Sequence, residues 1–333
     1  MSNHTLSTLF RRRLLPWLAA ALTLVTGAAQ AAEWPKEVTI GYQKYGTLII
    51  LKSRGDLEKR LAPHGVKVNW AEFSAGVPLL EGLNAGRVHF GVTGETPPIF
   101  GQAARGSQTT YVAYEPASPK SEALLVRKDS PVKSVADLKG GKVAVAKGSN
   151  AHYFTLVALR KAGLVPGKDV QLAFLPPSDA RSAFERGDVQ AWAIWDYFYS
   201  AAEADGARVL LDGEGLVDNH GFYLAPSSFL ERYPHVVSLI LEEITKVDHW
   251  TTATPAAAAE QLARDLGGVT PAVLERALRR AGFDPQPITP AIIAAQQRIA
   301  DTLHEQGLIP TRPNVADAIW NWTPTRTAAH SQH

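Results

Sequence analysis

Ala85-Gly86-Arg87-Val88 is echoed by Arg186-Gly187-Asp188-Val189, and the echo decides the fold. At the same spacing of 101 residues, Glu95 answers Asp196 and Phe73 answers Phe174. Around the first copy, apolar runs at 38–41, 66–73, 88–92 and 110–114 read as strands. Helical patterns at 47–61, 77–83 and 98–104 lie between the first of them. Around the second, strands at 143–146, 170–175 and 189–195 alternate with helices at 151–162, 180–184 and 198–204. Strand and helix in alternation make βαβ units and a mainly parallel sheet. A duplicated series of such units predicts two similar α/β lobes. One doubly wound sheet with generic patterning is the alternative that remains at this point.

Two lobes need joining. The run 123–126 leads out of the first lobe and 222–225 leads back, which sets hinge segments near 123–128 and 220–225. The expected division is a first lobe over 34–126, a second over 127–220, and a return to the first over 221–322. Residues 227–322 read as almost wholly helical. Thr270-Pro271 and Thr289-Pro290 are cap-plus-first-turn starts. Ile292, Ala295, Ile299 and Leu303 fall on one helix face, which should pack on the first lobe. The polar tail 323–333 reads as disordered.

The N-terminus carries an address. Arg11, Arg12 and Arg13 precede an apolar run from Leu14 to Ala29, and Ala29-Gln30-Ala31 offers small residues around a cleavage point. This is the pattern of a cleavable signal peptide over residues 1–31. A membrane anchor is the weaker reading, because the run is short, Gly27 interrupts it, and Glu33-Trp34-Pro35 follows. General secretory and twin-arginine export both remain open. No cysteine is present, so neither a disulfide nor an N-terminal lipid is expected. A freely diffusing exported protein that binds solutes needs an enclosed compartment, which points to a periplasm. The 333 residues are 45% hydrophobic and 20% charged, with net charge +2. That balance provides no basic stripe for nucleic acid.

In open α/β sheets, ligands sit beyond the carboxyl ends of the strands. The loops there are Gln43-Lys44-Tyr45, Ser74-Ala75-Gly76, Thr93-Gly94-Glu95 and Glu115 in the first lobe. In the second they are Gly148-Ser149-Asn150, Ser178-Asp179 and Trp195-Asp196. Gly148-Ser149-Asn150-Ala151-His152 opens a helix, where free N–H groups and the positive dipole end suit an anion. Plain capping of the helix by Ser149 or Asn150 is the bland reading. Lys44 is the one cation in these loops, so a singly charged anion held by neutral donors fits better than a phosphate. Strand alternation puts Trp192 and Trp195 on opposite faces; Trp195 is expected at the ligand and Trp192 in the core.

Enzyme signatures are missing. Gly140-Gly141-Lys142 runs into Val143 rather than Ser or Thr, no G-x-S-x-G occurs, and the ten histidines form no H-x-x-x-H pair. No catalytic residue, metal or cofactor is expected.

Gly41-Tyr42-Gln43-Lys44, Glu72-Phe73-x-Ala75-Gly76, Thr93-Gly94-Glu95-x-Pro97-Pro98-Ile99-Phe100, Asp179-Ala180-Arg181 and Ala191-Trp192-Ala193-Ile194-Trp195-Asp196 resemble the periplasmic aliphatic sulfonate-binding proteins of ABC importers. The resemblance runs from about Val38 to Trp320. It implies a type II periplasmic binding protein fold with two crossover segments. It also implies a sulfonate in the cleft and docking onto a permease with its cytoplasmic ATPase; a monomer is expected. Taurine, nitrate or another small anion is the alternative cargo. Carried over by position, the ligand residues are Gln43, Thr93, Gly94, Glu95, Glu115, Ser149, Asn150, His152, Trp195 and Asp196. Relatives often have Pro where this chain has Tyr197, and Asp where it has Glu95. Thiamine-pyrimidine synthases resemble the same fold but use a cysteine-rich stretch that this chain lacks. The acids are the awkward part, since carboxylates repel an anion. The expectation is that Glu115 meets an amino group of the ligand, while Asp196 bonds loop N–H groups or bridges the lobes.

Overall fold

The computed structural model describes residues 33–324. The expected signal peptide lies outside the described residues, as does the tail apart from Thr323 and Pro324. The first half runs β1 (Glu37–Tyr42), α1 (Gly46–Arg54), α2 (Asp56–Leu61), β2 (Lys67–Glu72), α3 (Gly76–Asn84), β3 (Phe90–Gly94), α4 (Thr96–Ala103) and β4 (Thr109–Tyr114). The second runs β5 (Glu122–Val126), β6 (Lys142–Val145), α5 (Asn150–Lys161), β7 (Gln171–Phe174), α6 (Pro177–Arg186), β8 (Ala191–Trp195), α7 (Phe198–Ala204) and β9 (Arg208–Asp212). After β10 (Gly221–Pro226) come α8 (Ser227–Arg232), α9 (Pro234–Ala253), α10 (Pro255–Leu266), α11 (Pro271–Arg280) and α12 (Pro290–Glu305).

These strands form two five-stranded sheets, ordered β2-β1-β3-β10-β4 and β7-β6-β8-β5-β9. The duplication is therefore real in three dimensions. In each sheet three strands from βαβ units run parallel, and an antiparallel strand joins the third of them to an edge strand.

Three expectations need correction. The helix expected over 47–61 is two helices, because Gly55 turns the chain at φ 63, in the left-handed region that glycine adopts freely. The strand β5, expected to end the first lobe, lies in the second sheet between β8 and β9. It is buried along its whole length, and a continuous apolar run reads alike in either sheet. The links between the sheets are consequently 115–121 and 213–220, not 123–128 and 220–225. These two links bond to each other: Glu115 N to Gly221 O at 2.8 Å, Ser118 N to Asp218 O at 3.0 Å, and Gly213 N to Pro119 O at 3.0 Å.

Both faces of the first sheet are covered. One core gathers Leu48, Leu51 and Leu57 with Val237, Ile240 and Leu262 from the C-terminal helices. The other joins Leu79, Leu80 and Ile99 to Ile299 and Leu303, so α12 packs on the first lobe through the face expected of it. In the second sheet, α5 covers one side through Phe154 and Leu159, and α6 and α7 cover the other around Trp192. Each such fully buried side chain contributes roughly 1.5–3 kcal/mol.

Gly76 starts α3 against α4. A Cβ there would lie 2.5 Å from Pro97 Cγ and 2.7 Å from its Cβ. Gly76→Ala should therefore cost about 1–3 kcal/mol of stability, read by thermal unfolding. An unchanged midpoint would mean that α3 and α4 can part freely.

Candidate functional site

The carboxyl ends of β1, β3, β6 and β8 face one another across the two links, and a cavity of about 70 Å³ lies between them. Seven of the expected residues line it: Gln43, Gly94, Glu115, Ser149, Asn150, Trp195 and Asp196. The loops also bring Tyr45, Gly76 and Tyr197, and the links bring Ser118, Ser121, Asn219 and His220. Leu278 and Ala281, at the end of α11, complete the wall. No lysine or arginine lines the cavity among the described residues. Lys44 instead pairs with Glu72 at the surface.

Thr93, Glu95 and His152 do not line it. The Thr93 hydroxyl donates to Gly94 O. Glu95 accepts from His220 N at 3.0 Å, tying β3 to the second link. His152 accepts from Gly148 N through Nδ1 at 3.2 Å, shaping the turn before α5. Burial, then nearby Lys147, depress its pKa to about 4, so the ring is neutral.

Ser149 and Asn150 are engaged within the protein. Ser149 caps α5: its hydroxyl accepts from His152 N at 3.2 Å and donates to Ala146 O at 2.7 Å. Asn150 crosses the cleft. Its Oδ1 accepts from Thr96 N at 2.9 Å, and its Nδ2 donates to Asn219 Oδ1 at 2.6 Å. A Cβ on Gly94 would lie 2.3 Å from the Asn150 amide, so glycine there is what admits Asn150.

The donors left for an anion come from other helices. The first N–H groups of any helix have no partner inside it. α1 and α3 begin at the cavity with no capping side chain, at Gly46 and Gly76. α4 has little to offer, because Thr96 N is taken and Pro97 and Pro98 have no N–H. Trp195 Nε1, Tyr45 Oη and Tyr197 Oη are buried without a hydrogen-bond partner.

Arg280 closes the site from outside. It reaches from α11 to Glu203 at 2.6 Å and Asp196 at 3.6 Å, and its guanidinium lies 4.0 Å over the Tyr199 ring. Asp196 Oδ1 also accepts from Ser200 N at 2.9 Å and Ser200 Oγ at 2.6 Å. Asp196 thus braces α7 and joins it to α11. Its pKa is pushed up to about 6, chiefly by burial.

Asn219 and Arg280 escaped the sequence as site residues, whereas Tyr197 stood out there as a departure from the family at the cleft edge. Asn219 carries a weak signal, since asparagine is among the residues that tolerate its positive φ of 53. Arg280 ends an ordinary amphipathic helix and has no local signature.

Comparison with known proteins follows the same lines. A family described as the ABC transporter, phosphonate, periplasmic substrate-binding protein matches residues 56–234. A chain of Escherichia coli (strain K12) named for aliphatic sulfonate binding is 41% identical, over 92% of this chain and 95% of its own. The alkanesulfonate-binding protein SsuA from Xanthomonas axonopodis pv. citri, solved bound to MOPS, superposes with a TM-score of 0.82 at 40% identity, covering 87% of this chain and 99% of that one. The periplasmic aliphatic sulphonate binding protein SsuA from Escherichia coli superposes with a TM-score of 0.77 at 40% identity, covering 88% and 94%.

Gly94→Ala should fold but fail to close while Asn150 is in place. Small-angle scattering should show a larger radius of gyration, and Asn150→Ala added to it should restore the wild-type value. An unchanged radius in Gly94→Ala would remove Asn150 as the cross-cleft contact.

Buried acids set the pH response. Burial pushes Glu95 and Glu115 up to about 7, and holds Glu122 and Asp248 well above the usual range. Both oxygens of Glu122 are buried without a partner, and the Glu95 charge adds to the effect. As pH rises past the usual 4.5, the unfolded chain releases protons that the folded protein keeps. Stability should therefore fall from that point towards pH 7. Glu122→Gln should reduce the loss of melting temperature between about pH 5 and about pH 8. A slope equal to wild type would exclude Glu122 as a contributor.

Proposed function

Because the chain belongs to the family of periplasmic aliphatic sulfonate-binding proteins of ABC transporters, we propose that it captures an aliphatic sulfonate in this cleft and delivers it to a permease. Residues 1–31 act as a cleavable signal peptide that sends it to the periplasm, where it works as a monomer with its permease and ATPase. Among the described residues, no helix is long and apolar enough to cross a membrane.

The observation that carries the reading is the pairing of uncapped helix N-termini with a cavity that has no cation. The first-turn N–H groups of α1 and α3 can meet the oxygens of a sulfonate, whose single charge is spread over three of them. A phosphonate brings up to two charges and would call for lysine or arginine at the site. Cation-free recognition therefore favours the sulfonate. Gln43, Gly94, Glu115, Ser149, Asn150, Trp195 and Asp196 form the walls around it. Thr93, Glu95 and His152 hold those walls in shape.

Binding to the folded state alone, at 100 times Kd, stabilises by about 2.7 kcal/mol. For a chain of this size that is a melting shift of roughly 5 °C. Propanesulfonate should produce it, and methylphosphonate at the same concentration should not. A shift with phosphonate and none with any alkanesulfonate would overturn the proposal.

A further inference from the structure

A groove of about 510 Å³ lies apart from the cleft, where α5 and the edge strand β7 of the second lobe meet the chain after α12. None of its lining residues lines the cleft cavity. Its apolar side is made by Leu156, Leu172 and Leu308 with Val165 and Phe174. Val165 is 51% exposed and Phe174 45%, two of the three large apolar side chains that stand exposed among the described residues. Apolar side chains gathered in one open groove, rather than scattered singly, mark a contact site.

The charge around the groove has one sign. Arg160 lines it, Lys147 Nζ stands 5.8 Å from the Phe174 ring centre, and no aspartate or glutamate lines it among the described residues. Neither cation forms an ion pair among the described residues. Arg160 instead faces the Gln306 amide at the far end. His152, Leu156 and Arg160 recur at every fourth position of α5, so they form one stripe along the groove. His152 is 1% exposed, and its Nε2 is buried without a hydrogen-bond partner. Because Nδ1 accepts from Gly148 N, the neutral ring carries its proton on Nε2. That leaves a buried donor in need of an acceptor. Phe174 meets the same ring edge to face, with centroids 5.1 Å apart. Exposed side chains change rotamer within nanoseconds, so Phe174 can turn outward and uncover the donor.

The geometry points to a second ligand site in this groove, for a monoanion with an alkyl chain. The head accepts from His152 Nε2–H and Lys147, and the chain lies on Leu156, Leu172 and Val165. A carboxylate or sulfonate head supplies the acceptor that Nε2 lacks and the counter-charge that Lys147 lacks. A small anion without a chain would leave Val165 and Phe174 in water, and a neutral chain would leave the donor unpaired.

Octanoate, butanoate and 1-octanol separate the two requirements. In calorimetry on the purified protein in Tris buffer at neutral pH, octanoate should bind at a single site per chain. Butanoate should bind at least about tenfold more weakly, since each buried methylene is worth roughly a factor of four. 1-Octanol should lose about tenfold, the size expected of a hydrogen bond to a charged group. Val165→Asp puts a negative charge at an exposed position of the groove and should weaken octanoate about tenfold or more. Lys147→Gln should weaken it several-fold and serves if Val165→Asp does not fold. Wild-type octanoate affinity in both variants, or equal affinity for octanoate and butanoate, would overturn the proposal. A dimer in sedimentation equilibrium that Val165→Asp abolishes would assign the groove to a second copy of the chain and overturn it too.

Discussion

Asn150 joins three parts of the molecule with one amide. Its oxygen takes the first N–H of α4 and its nitrogen donates to Asn219, which the links between the sheets hold in turn. The rest of the site is arranged around that bridge. Ser149 caps α5 and so fixes where Asn150 points. Gly148, at φ 75, makes the turn that brings Ser149 round. Gly94 has no side chain because the amide fills its place. An amide this buried, 8% exposed, is costly unless both its ends are bonded, and here both are.

Electrostatics set the second constraint. Carboxylates surround the proposed anion site, and two of them are engaged within the protein. Asp196 is occupied with Ser200 and Arg280, and Glu95 with His220 N. Those acids hold walls together. In the proposed reading, the attraction for an anion comes from backbone dipoles at α1 and α3, which are fixed by the fold and need no counter-charge. Such an arrangement discriminates by charge number, because partial charges balance one negative charge far better than two.

The fold was legible because its cause is periodic. Strand–helix alternation and the repeat linking Gly86 to Gly187 are local patterns, and they predicted two lobes correctly. What failed was long-range. The run 122–126 is apolar throughout, and nothing within it says which sheet it joins; pairing with β8 and β9 decides that. The site divides in the same way. Loops that follow strands could be read from position, so Gln43, Gly94 and Trp195 were found. Arg280, from a helix far along the chain, and Asn219, from a link whose place depended on β5, could not be. Ser149 shows a further limit: the sequence offered capping and ligand binding as alternatives, and the geometry fills the hydroxyl with capping bonds.

On the proposed function, the same geometry would make closure and recognition one event. The cavity walls come from both sheets, from both links and from α11, so no single lobe holds a complete site. A sulfonate seated on α3 alone would have its charge facing water, where backbone dipoles are screened. Closure would bring α5, Trp195 and Tyr197 over it and lower the local dielectric, which strengthens dipole contacts. Arg280 then spans from α11 to α7, and Asn150 from α5 to α4. Both contacts join elements on opposite sides of the cleft. If the lobes close on ligand, affinity and closure are thermodynamically linked, and a partner that distinguishes the closed surface from the open one would also distinguish loaded protein from empty.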